Sequence, residues 1–99
     1  MASIYDIYIE QGSDFYQLLD ITGDKTGYTI TMSVEDSVGT STSGYVAWTD
    51  EALGKFSITM TNAQTSALAT GIGKYNIEIT IGGVTDRILQ GRIYVDGDV

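Results

Sequence analysis

The sequence predicts an all-β protein: a single antiparallel β-sandwich of Ig-like type, about seven strands across residues 1–99, with one short helical turn. Three observations predict it. Apolar and polar residues alternate with period two over most of the chain, the signature of strands with one buried and one wet face. Turn residues punctuate these runs at the interval expected of a sandwich. A helical pattern is confined to one stretch. The 99 residues suit one domain with a usable core, and neither a repeat nor a composition shift divides the chain.

The first strand is read at Tyr5-Asp6-Ile7-Tyr8-Ile9-Glu10, where Tyr5, Ile7 and Ile9 share a face. Gln11-Gly12-Ser13-Asp14 turns the chain into a second strand, Phe15 to Ile21, whose Leu18-Leu19 pair leaves its register ambiguous. Residues 22–27 lead into the clearest alternation. There Tyr28, Ile30, Met32 and Val34 oppose Thr29, Thr31, Ser33 and Glu35. Asp36 to Gly44, made of small polar residues and glycine, reads as an exposed, mobile loop. A short strand follows at Tyr45 to Thr49, with Val46 and Trp48 on one side and Tyr45 and Ala47 on the other.

After the turn at Asp50 to Gly54, Phe56, Ile58 and Met60 alternate with Ser57 and Thr59. Thr61-Asn62-Ala63-Gln64 has the form of a capping box, a Thr N-cap with Gln three residues on. One or two helical turns fit before Gly71, with Leu68 folded under them as a plug for the core. Tyr75, Ile77, Ile79 and Ile81 form the next apolar face. Ile81-Gly82-Gly83-Val84 signals a two-residue hairpin of primed geometry. In the last strand Leu89, Gly91, Ile93 and Val95 share one face, opposite Ile88, Gln90, Arg92 and Tyr94. Gly91 in mid-strand marks a bulge or a close backbone approach.

Composition narrows the function classes. The chain has no cysteine, histidine or proline, and carries a formal charge of −8 from 13 acidic and 5 basic residues. No disulfide framework, thiol nucleophile, Ser-His-Asp triad or imidazole metal ligand is expected. The acidic balance argues against nucleic acid, whose binders need a basic stripe. No apolar run approaches the ~20 residues of a membrane span, and the N-terminal stretch lacks a signal-peptide pattern. A soluble, unsecreted chain is the expectation.

Carboxylate pairs are the catalytic chemistry still open: Asp50-Glu51, Asp20 with Asp24, and Asp96 with Asp98. Acidic residues in turns are ordinary, and no cleft is signalled. Asp96-Gly97-Asp98 superficially resembles part of a calcium loop, but the EF-hand glutamate has no place to follow. Gly71-Ile72-Gly73-Lys74 is not a phosphate loop, since Leu68 and Tyr75 stand where glycine and Ser/Thr are needed; it reads as a loop entering a strand. No catalytic, cofactor-binding or metal residues are therefore assigned. The aromatics say more. Tyr28 and Tyr75 are in phase with aliphatic neighbours and belong to the core. Tyr8 and Tyr94 fall on the opposite phase of the first and last strands, where exposed tyrosine gives large contact area at low entropy cost.

The order of features then carries a resemblance. Asp24-Lys25-Thr26-Gly27-Tyr28-Thr29 opens the best strand, Thr61-Asn62-Ala63-Gln64-Thr65-Ser66-Ala67-Leu68 makes the helical turn, and Leu89-Gln90-Gly91-Arg92-Ile93-Tyr94-Val95 closes the chain. Together they resemble a small β-sandwich family of tailed bacteriophages, similar to the N-terminal domain of phage baseplate upper proteins. The resemblance covers nearly the whole chain. Two departures exist. Ala69 stands about where the family has proline, and the hairpin before Tyr28 is shortened, a departure that bears on the attachment surface the resemblance implies.

The resemblance implies a non-enzymatic virion structural protein, assembled in the host cytoplasm and docking as an accessory part of the tail, neck or baseplate. The alternative is a capsid decoration protein on the phage head; a more remote one is a carbohydrate-binding module using Trp48 and Tyr45. Partners are expected to be other virion proteins and further copies of the chain, with no nucleic acid, membrane or small-molecule substrate. The partner-contact residues expected are Tyr8, Gln90, Arg92 and Tyr94, on the first and last strands.

Overall fold

The structure, a computed structural model, describes residues 3–97. Its strands are β1 (Ser3–Ile4), β2 (Ile7–Glu10), β3 (Phe15–Asp20), β4 (Thr29–Glu35), β5 (Ser41–Ser43), β6 (Val46–Asp50), β7 (Lys55–Met60), β8 (Gly71–Ile81) and β9 (Val84–Asp96). A 3-10 turn at Glu51–Leu53 precedes β7, and one helical turn, α1 (Asn62–Ser66), precedes β8. The protein is thus mostly β, in two sheets. The larger runs β1-β9-β8-β4-β5, with β2 also paired to β9; the smaller runs β3-β7-β6.

The alternation read from the sequence is the alternation of burial. Ile7 and Ile9, Met32 and Val34, Tyr75, Ile77 and Ile79, and Leu89, Ile93 and Val95 are buried from the larger sheet. Phe56, Ile58 and Met60 are fully buried from β7, the centre of the smaller one. Phe15, Leu19, Val46 and Trp48 pack against the same core from its two edge strands. Leu68 is buried below α1, as a plug. The capping box forms as read, with Thr61 and Gln64 each bonding the other's backbone N–H. The Gly82-Gly83 hairpin has φ of 57° and 82°, the primed geometry that suits the twist of its strands.

Several expectations are corrected. Nine strands are described rather than about seven. The first strand is broken at Tyr5-Asp6, and the stretch read as a mobile loop contains β5, paired with β4 through Ser33–Ser43 to Glu35–Ser41. The last hairpin is longer than read, because the glycines at 71 and 73 continue the ladder opposite Val95 and Ile93.

The larger sheet is not antiparallel throughout. β1 and β2 lie parallel to β9, in one register from Ser3–Leu89 to Glu10–Asp96. The first strand enters beside the last in the same direction, then leaves through the turn at 11–14 for the smaller sheet. Tyr45 also departs from its expected phase. Its φ of 73°, next to Gly44, redirects the chain from β5 in one sheet to β6 in the other, and its ring packs on the core. Tyr28, expected in the core, is half-buried.

The ambiguity at Leu18-Leu19 is settled by pairing with β7: Leu19 opposite Phe56 faces inward, and Leu18 faces out. Gly91 is a close backbone approach, since a Cβ there would lie 2.2 Å from the Tyr5 carbonyl oxygen. The irregularity in β9 lies elsewhere, between Leu89 and Arg87, where the pairing with β8 skips Ile88.

Candidate docking face

The outer face of the larger sheet is built as successive rows across the strands. Parallel pairing puts Tyr8 beside Tyr94, and antiparallel pairing puts Tyr94 opposite Ile72. The two tyrosine rings stack, with centroids 4.9 Å apart and planes 10° from parallel. Tyr8 is 69% exposed and Ile72 56% exposed, so the row is an apolar ridge open to solvent.

The neighbouring row is charged. Arg92 stands opposite Lys74, and Lys74 opposite Glu35. Asp6 completes the row where β1 gives way to β2, its Oδ1 accepting the Arg92 N–H at 3.0 Å. Lys74 Nζ lies 3.7 Å from Glu35 Oε1, a solvent-exposed pair that contributes little to stability. Interaction with the Tyr94 hydroxyl first, and the charge of Asp6 after it, hold the Arg92 guanidinium above its already high ordinary pKa, so it remains a fixed positive charge.

The third row carries amides and hydroxyls: Gln90 opposite Asn76, and Asn76 opposite Ser33. Arg87 Nη1 donates to Gln90 Oε1 at 3.2 Å. The second and third rows floor a shallow cleft of about 650 Å³, lined among others by Asp6, Glu35, Lys74, Arg87, Gln90 and Arg92. Three of the chain's five basic residues, Lys74, Arg87 and Arg92, meet there. Such a surface offers stacking, fixed charge and many hydrogen bonds, the elements of an interface with another macromolecule.

All four residues expected to touch a partner, Tyr8, Gln90, Arg92 and Tyr94, lie on this face. They lie there through side-chain phase rather than as a strand edge, because β9 is internal to the sheet. The sequence reading missed Ile72 and Lys74, which belong to the face because β8 begins at Gly71. It also missed Arg87, whose exposure follows from the bulge at Ile88.

Trp48 turns inward, its Nε1 donating to the Tyr28 carbonyl at 2.9 Å and its ring meeting Phe56 edge-on. Trp48 and Tyr45, the residues of the more remote carbohydrate-binding alternative, both pack against the core. Asp20 and Asp24 serve their own turns, accepting from the Thr22 and Thr26 N–H groups. Asp98, half of the last acidic pair, lies outside the described residues. No helix among the described residues is long and apolar enough to cross a membrane. No protein-family model matches the sequence, and no curated protein is significantly similar to it.

Proposed function

We propose that this chain is a non-enzymatic structural protein of a tailed-bacteriophage particle, an Ig-like sandwich that docks as an accessory part of the tail, neck or baseplate. The observation that supports this reading most is the face just described. A stacked pair, the exposed Tyr8 on the half-buried Tyr94, stands beside Arg92 and Gln90 on one sheet surface. A side chain held by a strand ladder loses little entropy on contact, and tyrosine supplies large area with a polar tip. The sequence resemblance to baseplate upper proteins supplies the particle context.

Localisation by electron microscopy of labelled particles tests the proposal. Density at the tail, neck or baseplate in about a dozen copies is the expected result. Hundreds of copies on the head would replace it with a decoration role, and absence from purified particles would end it. Within the particle, Tyr8→Ala and Tyr94→Ala variants are expected to incorporate poorly while remaining folded.

A further inference from the structure

We propose that the chain self-associates by pairing β3 antiparallel with β3 of a second copy, about a two-fold axis through Leu18. This interaction uses a different sheet from the docking face and does not depend on it.

Four strand edges are free among the described residues: β1/β2 and β5 on the larger sheet, β3 and β6 on the smaller. Sheet edges are ordinarily protected by shortness, irregularity, charge or proline. The β1/β2 edge is interrupted at Tyr5-Asp6. β5 has three residues, and β6 is bulged between Trp48 and Asp50. Of these guards β3 has only one, a single charge, Asp20, at its last position. It is six residues long, regular in register from Phe15–Met60 to Asp20–Lys55, and free of lysine, arginine and proline. Its outward side chains include Tyr16, 64% exposed, and Leu18, 49% exposed.

The hydrogen-bond phase of the free edge is fixed by its neighbours. Ile21 N–H donates to the Gly54 carbonyl, so the odd positions of β3 bond towards β7. Thr59 N–H donates the other way, to Tyr45, which gives the same phase from β7. The N–H and C=O groups of Tyr16, Leu18 and Asp20 therefore point off the edge. The Leu18 carbonyl is met there only by the exposed Gln17 amide, at 3.2 Å.

An antiparallel two-fold must pair residues of like facing, which restricts its axis to pass through a residue. Through Gln17, Asp14 would oppose the partner's Asp20, a like-charge clash. Through Tyr16, most of the strand would be left unpaired. Through Leu18, Leu18 opposes the partner's Leu18 and Tyr16 opposes the partner's Asp20, a hydroxyl donor against a carboxylate. On the core side, Phe15 then meets the partner's Ile21. The bonding phase also agrees: residues 16, 18 and 20 are the ones with free backbone groups. This joins two smaller sheets into one continuous sheet by strand addition.

A single strand edge is a small interface, so the dimer is expected to be weak, with Kd between about 10 μM and 1 mM. It is expected to tighten with added salt, which screens the repulsion of two chains of charge −8. Sedimentation equilibrium up to about 1 mM chain reads this range directly. Leu18→Lys is expected to weaken association at least about tenfold, by placing like charges directly opposite, with an unchanged circular dichroism spectrum. A second variant needs no loss of function. Leu18→Cys introduces the sole thiol of the chain, at a pair whose Cα separation of about 5.5 Å suits a disulfide. It is expected to cross-link on mild oxidation far faster than Thr49→Cys, placed on the exposed side of β6. A wild type that stays monomeric, a Leu18→Lys protein that associates like wild type, or equal cross-linking of the two cysteine variants would overturn the proposal. So would loss of self-association in Tyr8→Ala, which would move the contact to the docking face.

Discussion

The Tyr75 hydroxyl donates a hydrogen bond to the Tyr5 carbonyl oxygen, two strands away, by reaching past Gly91. Tyr75 on β8 pairs with Gly91 on β9, and Gly91 leaves room for the Tyr5-Asp6 kink to press inward. The kink cannot make a regular ladder. Its polar groups are met individually: Tyr5 N–H by the Gln90 carbonyl, Tyr5 C=O by Tyr75, and the Arg92 N–H by Asp6 Oδ1. One missing side chain thus fixes the junction from which the docking face begins.

Gly91→Ala is accordingly expected to destabilise the protein by about 2–3 kcal/mol, the upper range for overpacking. The added Cβ would lie 2.2 Å from the Tyr5 oxygen and 2.8 Å from its carbonyl carbon, both backbone atoms that cannot swing aside. Urea unfolding checks the value, and an unchanged midpoint would contradict it.

Burial first, and the charges of Tyr5 and Asp6 after it, push the Tyr75 hydroxyl well above its ordinary pKa. In the unfolded chain the group ionises near pH 10. Its contribution is complete below that value and is lost as pH rises further, because the unfolded state then releases a proton that the native state retains. Tyr75→Phe is expected to cost about 1–2 kcal/mol at neutral pH, by leaving the Tyr5 carbonyl without its partner. The same variant should lose less stability than wild type between about pH 10 and 11.5. Melting temperatures of both proteins across this range provide the check.

Much of the fold was legible because period-two alternation reports burial directly. The buried aliphatic positions of β2, β4, β7, β8 and β9 follow from that pattern alone. The parallel pairing of β2 with β9 did not, because a strand's sequence specifies its faces but not the direction of its neighbour. Gly91 carried a local signal whose cause, the approach of Tyr5, is 86 positions distant in sequence and invisible without pairing. Tyr8 and Tyr94 were recognisable as outward-facing, yet their stacking depends on a register that places Ile7 beside Ile93. Lys74 and Ile72 were hidden because glycines at 71 and 73 read as a loop. The conformational freedom that marks glycine in turns did not stop those residues from continuing a ladder.

Asp36 organises the segment between β4 and β5. It is 7% exposed, and its carboxylate accepts from the Thr40, Val38 and Ala69 N–H groups at 2.9, 3.2 and 3.3 Å. The Thr40 bond foremost, with those from Ala69 and Val38 and against the opposing effect of burial, holds its pKa below the ordinary value of 3.8. A depressed carboxylate contributes stability that is present above its unfolded pKa and disappears as pH falls through the folded one. Wild type is therefore expected to lose stability below about pH 4 more steeply than Asp36→Asn, which is less stable than wild type at neutral pH. Parallel acid titrations followed by circular dichroism would refute this if the two curves had the same shape.

The Tyr8–Tyr94 stack is expected to couple the two residues by about 0.5–1 kcal/mol beyond the area each buries, the lower part of the range for aromatic pairs because Tyr8 is solvent-exposed. A double-mutant cycle on Tyr8→Ala and Tyr94→Ala measures this term. Additive effects would mean that the rings merely adjoin. The small coupling also matters for the proposed function: each alanine variant should remain folded, so that failure to enter particles reports on docking.

Thr65 ties α1 to the turn between β2 and β3, and is expected to be the costliest single hydroxyl in the protein. It is fully buried. Its Oγ1 accepts from the Gly12 N–H at 3.1 Å and lies 2.9 Å from the Ser13 carbonyl and 3.1 Å from the Asn62 carbonyl. One hydroxyl proton serves the two acceptors, and the shorter contact to Ser13 is the stronger claim on it. The same turn is held by Gln11 Nε2 donating to the Leu68 carbonyl at 2.6 Å and by Asp14 Oδ1 accepting from the Asn62 N–H at 2.6 Å. Thr65→Val preserves the packing volume but leaves the Gly12 N–H and the Ser13 carbonyl without their hydroxyl partner, which costs about 1–3 kcal/mol at roughly 0.5–1.5 kcal/mol per lost hydrogen bond. Thr65→Ser keeps the hydroxyl and removes one methyl, costing about 1 kcal/mol. The order is the informative part: a packing role would make valine the milder change, whereas a hydrogen-bonding role makes serine the milder one, and thermal unfolding of the two variants decides between them.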